Sequence, residues 1–168
     1  GRISEYKGID VLLKAFINYY KDNENCTLTI AGFGDMSKYK ELMKTAEKIN
    51  VINRWITDEE IAYLFRVPNC ILITPYKDAS QSGVITLANI MKVPVISSNT
   101  GGLSEQVIDN VSGLLFENGN INHLVSKMKM ISGANLVEEL TNSAYNIGSS
   151  YWTDSAKSIA NSIILNDK

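Results

Sequence analysis

Arg2 and Lys7 share one short loop, GRISEYKG, that runs straight into an apolar helix expected to begin near Ile9. Arginine presents a planar two-pronged donor and lysine a mobile point charge, while the first turn of a helix offers free N–H groups and the positive end of its dipole. Together these make a site for phosphate oxygens. Two isolated surface cations would make no such site, so a second phosphate-ready loop has to converge on the same place. YKDASQSG supplies one: Ser80, Gln81, Ser82 and Gly83 lead into a helix expected over Gly83 to Met91, bringing hydroxyls and unpaired amides. Two helix starts and two cations suit a diphosphate better than a monophosphate. Serine also caps many helices with no ligand present, the plainer account of Ser80 and Ser82 taken alone, but the coincidence with the first loop reverses it.

The elements that must position these loops follow a βαβ rhythm, short apolar runs alternating with longer amphipathic ones and Gly, Pro, Asn or Asp at each junction. Strands are expected at Thr27 to Ala31, Val51 to Asn53, Ile71 to Pro75, Val93 to Ser97 and Gly113 to Phe116. Helices are expected at Ile9 to Lys21, Met36 to Ile49, Asp58 to Phe65, Gly83 to Met91, Ile121 to Ile131, Leu136 to Ile147 and Asp154 to Leu165. The fold class is therefore α/β, a Rossmann-like parallel sheet flanked by helices on both faces. In a doubly wound sheet of order 3-2-1-4-5-6, ligands sit beyond the carboxyl ends of the strands where the order reverses. With a first strand leading into GRISEYKG, the two loops border that crevice. Almost nothing precedes Gly1 to form that strand, so the chain is expected to be a fragment of a larger protein, and activity of the fragment alone is doubtful.

Composition narrows the function classes. The chain has 168 residues with 45% apolar content, enough for one domain with a substantial core. Sixteen basic against eighteen acidic residues, with no basic run, leave no nucleic-acid footprint. Cys26 and Cys70 lack metal or redox spacing and open two of the expected strands, which favours buried, reduced thiols. No apolar stretch approaches the ~20 residues of a membrane span and no signal-peptide pattern opens the chain, so a cytoplasmic setting is expected. GFGDMS resembles the dinucleotide fingerprint, but Ser37 stands for its third glycine and the next strand ends in Asn53 rather than an acid for the ribose. Gly32 and Gly34 more plausibly keep the loop low where a ligand or another loop passes over it.

Six segments in order, GRISEYKGIDVLLKAF, LTIAGFGD, INVINRWITDEEI, ITPYKDASQSGVITLA, KVPVISSNTGGLSEQVIDNVSGLLF and Tyr151-Trp152, resemble the signature segments of the C-terminal half of glycosyltransferase family 4 enzymes. The resemblance covers nearly the whole chain. It implies one half of a GT-B fold, the donor domain for a nucleotide-diphosphate sugar, with an N-terminal acceptor domain absent. It also implies a retaining hexosyl transfer that needs no metal or other cofactor, to a glycan or lipid-linked acceptor. By the same resemblance Arg2 and Lys7 are the catalytic cations that hold the diphosphate and offset charge on the leaving nucleotide. Gly32 and Gly34 flank the donor cleft, and Arg54 and Trp55 lie where the chain passes the base, Arg54 in a slot that usually holds glycine.

The sequence departs from the family in its paired glutamates. Asp78 is the only acid between Glu60 and Glu105, and the second glutamate slot falls at Leu87 or Ala88, which cannot accept a hydrogen bond through the side chain. Ribose contacts then pass to the backbone of Ser82, Gly83 and Val84, and sugar hydroxyls to Asp78. Thr100, Gly101, Gly102 and Glu105 match a family turn with a structural role, and His123 is expected to be solvated and remote from the crevice. Two rivals are a non-catalytic αβα nucleotide-sugar binding module and a sugar-nucleotide epimerase. The second lacks an acid and histidine set at the strand ends.

Overall fold

The structure is a computed structural model that describes residues 1–45, 47–132 and 136–148. The expected helix Asp154 to Leu165 and the Tyr151-Trp152 pair lie outside the described residues. The chain runs β1 (Arg2–Ile3), a 3-10 turn (Glu5–Lys7), α1 (Ile9–Tyr20), β2 (Leu28–Gly34), a 3-10 turn (Ser37–Tyr39), α2 (Lys40–Met43) and β3 (Ile49–Asn53). It continues through α3 (Asp58–Phe65), β4 (Leu72–Thr74), α4 (Gly83–Ile90), β5 (Val95–Asn99), α5 (Leu103–Gln106), β6 (Leu114–Glu117) and α6 (Ile121–Ile131). Residues 136–148 are helical.

All strand pairs are parallel, in two blocks ordered β1-β2-β3 and β4-β5-β6. Within each block the neighbours are those of the doubly wound order. The β1–β4 pairing that would join them is not formed. β1 has two residues, pairs only with Phe33 and Gly34 of β2, and turns away into the 3-10 turn. Between the unpaired edges of β2 and β4 lies a cleft of about 1660 Å³ lined largely by apolar side chains.

The longest expected helix of the first half, Met36 to Ile49, is a correction. It is broken into a 3-10 turn and the four residues of α2, and Ile49 belongs to β3, where it pairs with Leu28. The Thr45 hydroxyl bonds the Leu42 carbonyl and the Lys48 carbonyl accepts from Leu28 N–H, so local back-bonding and the sheet ladder take this segment from the helix.

Two buried clusters hold the layers together. The larger joins α1, β2 and α6 through Leu13, Phe16, Ile30, Leu124 and Ile131, with Ile96, Leu114 and Phe116 from β5 and β6. Residues Val11, Leu12, Ala15, Phe16 and Tyr19 of α1 follow the helical repeat, so one face is buried and Lys14 and Asn18 stay outside. The smaller cluster packs α4 and α5 on β5 through Ile85, Ala88, Val95, Leu103 and Val107. These two cores carry the loops at the strand ends.

Candidate functional site

The first loop is stitched to the end of β4. Gly8 adopts a left-handed backbone, φ 64°, and any Cβ there would collide with the Pro75 carbonyl, so only glycine lets α1 start this close to β4. One residue pair further out, Lys77 N–H donates to the Tyr6 carbonyl at 2.6 Å, and the Lys77 ammonium pairs with Asp10 at 3.1 Å. Local sequence thus brings GRISEYKG and YKDASQSG together. Arg2, Lys7, Gln81, Ser82, Gly83 and Val84 all line the cleft between the half-sheets.

Inside that grouping Lys7 is seated on an aromatic ring. Its Nζ lies 3.6 Å from the centroid of Tyr76 and 5.0 Å from that of Tyr6, and the two rings meet edge to face at 6.1 Å. Neither Arg2 nor Lys7 has an ion-pair partner among the described residues. Between them the Ser4 hydroxyl is buried with no partner among the described residues.

The second loop is held from beneath. The Ser98 hydroxyl donates to the Tyr76 carbonyl at 2.6 Å, and the Asn118 amide donates to the Lys77 carbonyl at 2.7 Å. Gly102 N–H donates to Ala79 at 3.1 Å, and a Cβ on Gly101 or Gly102 would strike the carbonyls of Ala79 and Ser80. The Thr100 to Glu105 turn is therefore structural, and what it supports is the second loop. Gln106 completes the support: its Oε1 accepts from Ser82 N–H at 2.7 Å and its Nε2 donates to the Ser82 carbonyl at 3.3 Å. Ser82 occupies the cap position of α4, but its hydroxyl makes no capping bond and instead meets the Tyr76 hydroxyl at 3.4 Å. The serine-cap expectation fails there because the side chain is drawn to the tyrosine. Ser80 is exposed and its side chain does not line the cleft; its carbonyl packs on Gly102.

Other candidates sit elsewhere. Arg54 borders a smaller hollow of about 390 Å³ against α3, lined also by Ile52, Ile56 and Tyr63, which adjoins the cleft at Ile56 and Leu64; Trp55 lines neither. Arg54 makes a two-pronged pair with Glu60 and also donates to the Trp55 carbonyl at 2.9 Å. Glu60 closes a reciprocal cap with Thr57 at the start of α3. The Arg54 hydrogen bonds, then the Thr57 backbone N–H, hold its carboxyl down to about 2. Trp55 is 74% exposed, which removes a core role for it. Asp78 is exposed and outside the cleft lining.

The glycines of GFGDMS are explained by a neighbour. A Cβ on Gly32 would strike the Gly1 carbonyl and one on Gly34 the Ile3 carbonyl, so what passes over this loop is β1. The Asn53 amide grips Gly34 with both its groups, at 3.0 and 2.9 Å, where a dinucleotide-binding fold would have an acid. His123 lies outside the cleft lining as expected, and its Nδ1 accepts from Glu117 N–H at 3.1 Å in an exposed bond that ties β6 to α6. Tyr76 and Gln106 are the residues that pattern reading missed. Their partners lie 69 and 24 positions away, and the single local signal was an aromatic directly after the strand-ending Pro75.

Cys26 and Cys70 are both free, and burial raises both thiol pKa values. Among the described residues no three His, Cys, Asp or Glu side chains gather as a metal site, and no helix is long and apolar enough to cross a membrane.

Comparison with known proteins agrees with this geometry. The C-terminal domain of LpcC, a glycosyl transferase group 1 family protein from Francisella tularensis, superposes with a TM-score of 0.80 over 90% of this chain and 83% of its own at 22% identity. Alr3699/HepE from Anabaena, solved with UDP and glucose, gives 0.79 over 97% of this chain and 46% of its own at 19% identity. These likenesses show the Rossmann-like fold of glycosyltransferase neighbours. In sequence, a protein from the cps region of Klebsiella pneumoniae is 31% identical over 71% of this chain and 32% of its own length. A D-inositol 3-phosphate glycosyltransferase of Pseudarthrobacter chlorophenolicus is 28% identical over 70% of this chain and 29% of its own. The chain matches about a third of the length of these relatives. Because residues 1–147 match the family described as Glycosyl transferases group 1, the chain belongs to that family.

Proposed function

We propose that this chain is the part of a family 4 glycosyltransferase that binds a nucleotide-diphosphate sugar and activates it for hexosyl transfer. The observation that carries the reading is the convergence of Arg2, Lys7 and the uncapped start of α4 on one cleft. As the bond between the sugar and the β-phosphate oxygen breaks, negative charge collects on the departing nucleoside diphosphate. Arg2, Lys7 and the amides of Gly83 and Val84 are fixed positive groups at the place where that charge would form, and such preorganised groups stabilise a transition state. With two cations in this role, transfer is metal-independent and needs no cofactor. Retention of configuration, Asp78 as partner of the sugar hydroxyls, and a glycan or lipid-linked acceptor follow from the resemblance.

The edges of β2 and β4 that face the cleft lack a joining strand, which supports reading this chain as one half of a two-domain transferase. The isolated chain would then bind donor without transferring it. Two unbridged thiols suit a cytoplasmic setting. The test uses the protein together with the residues that precede Gly1: UDP-glucose and other nucleotide sugars are offered with glycan and lipid-linked acceptors, and nucleotide release is followed. We expect acceptor-dependent release that Lys7→Ala abolishes. Failure of every nucleotide sugar to bind would overturn the reading. A second reading, a module that binds without catalysis, is favoured by Leu87 and the fully buried Ala88 in the slot where a glutamate would hold the ribose. Binding with no transfer in the longer protein would select it.

A further inference from the structure

We propose that Tyr76 is a positioning residue for Lys7, its ring the seat from which the ammonium meets the diphosphate. The inference rests on the donor-binding reading above, but its physical basis is independent of it. A lysine side chain in water samples many rotamers, and ordering it costs entropy. An ion pair would order it at the expense of its charge, as Asp10 does for neighbouring Lys77. An aromatic face orders the ammonium while leaving the charge uncancelled, and N–H groups not aimed at a ring remain able to donate.

The seat itself is fixed. Tyr76 is only 8% exposed, the Ser98 hydroxyl holds its carbonyl, and the edge of Tyr6 braces its ring. Its hydroxyl reaches the Ser82 hydroxyl at the start of α4, so one side chain sets both the cation from the first loop and the serine from the second. Within the seat the ring is the essential part, since the hydroxyl contact is long at 3.4 Å.

The test compares Tyr76→Phe, which keeps the ring, with Tyr76→Leu, which keeps apolar bulk without it; Tyr76→Met replaces the latter if it does not fold. The ε-methylene signals of Lys7 are read by NMR in the ligand-free chain, and UDP affinity is measured by calorimetry. We expect Lys7 to show an upfield ring-current shift in the parent and in Tyr76→Phe, and to lose it in Tyr76→Leu. The UDP dissociation constant should rise roughly 2- to 30-fold in Tyr76→Leu and stay within about 2-fold in Tyr76→Phe. Ordinary Lys7 shifts in the parent, or equal losses in the two variants, would overturn the inference while leaving UDP binding intact. A ring-current shift in a chain that binds neither UDP nor any other nucleoside diphosphate would sink the donor reading, and the seat would then position nothing.

Discussion

The cleft between the half-sheets and the hollow beside α3 both contain an arginine or lysine and an aromatic residue, yet they use them in opposite ways. Arg54 is spent on Glu60, and Tyr63, the aromatic residue of that hollow, stands exposed. Lys7 is held on the face of Tyr76 with no carboxylate partner among the described residues, and Arg2 is likewise uncommitted. A cation closed into a salt bridge contributes to local structure, whereas one ordered without neutralisation keeps its field for a ligand. The difference decides where an anion binds, and it could not be read from residue types alone.

Removing an uncommitted cation should therefore have the largest effect. In the longer protein, Arg2→Ala or Lys7→Ala is expected to lower turnover by about 10²- to 10³-fold with the melting temperature unchanged. Arg54→Ala, measured the same way, should leave turnover within a few-fold of the parent. Comparable losses at Arg54 and Lys7 would erase the distinction. Next in size is Gly102→Val. Its added carbons have to displace the Ser80 carbonyl, so we expect roughly 1–3 kcal/mol of lost stability by denaturant titration together with weakened UDP binding. A fully stable variant with parental UDP affinity would mean that the turn does not support the loop.

Asp78→Asn separates sugar from nucleotide. If the carboxylate takes sugar hydroxyls, the affinity for UDP-glucose should fall roughly 10- to 150-fold while that for UDP hardly changes. Equal changes in both would place Asp78 outside sugar recognition. The smallest effect belongs to the hollow. Glu60 is depressed to about 2 in the folded chain, so the stability it lends is present above its ordinary value of 4.5 and is lost as pH falls from there toward 2. Melting curves of the parent and Glu60→Gln should therefore converge on acidification through that window, with UDP binding at neutral pH equal in the two. A gap that persists at the acid end would show that Glu60 acts by something other than its charge.

The order of these predictions also marks what local sequence can convey. The first and second loops were legible because Arg2, Lys7, Gly8, Ser82 and Gly83 sit at junctions where periodicity changes, and each junction has its own composition. The strands shifted by no more than three residues, since short β-branched runs bounded by turn residues have few alternatives. Met36 to Ile49 failed as one helix because its last residues were claimed by pairing with β2, a contact no window along the chain contains. Tyr76, Gln106 and the Arg54–Glu60 pair were missed or misjudged for a related reason. The Tyr76 and Gln106 contacts span long sequence separations, while Glu60, six positions on, was legible only as a helix-start acid.

The most direct measurement is a titration of the isotope-labelled chain with UDP, following backbone amides, the Lys7 side chain and the Tyr63 ring by NMR. We expect the amides of Gly83 and Val84 and the Lys7 side chain to move first and farthest, with those shifts lost in Lys7→Ala. Movement of the Tyr63 ring signals with Gly83, Val84 and Lys7 unperturbed would put the anion in the hollow beside α3 and contradict the account.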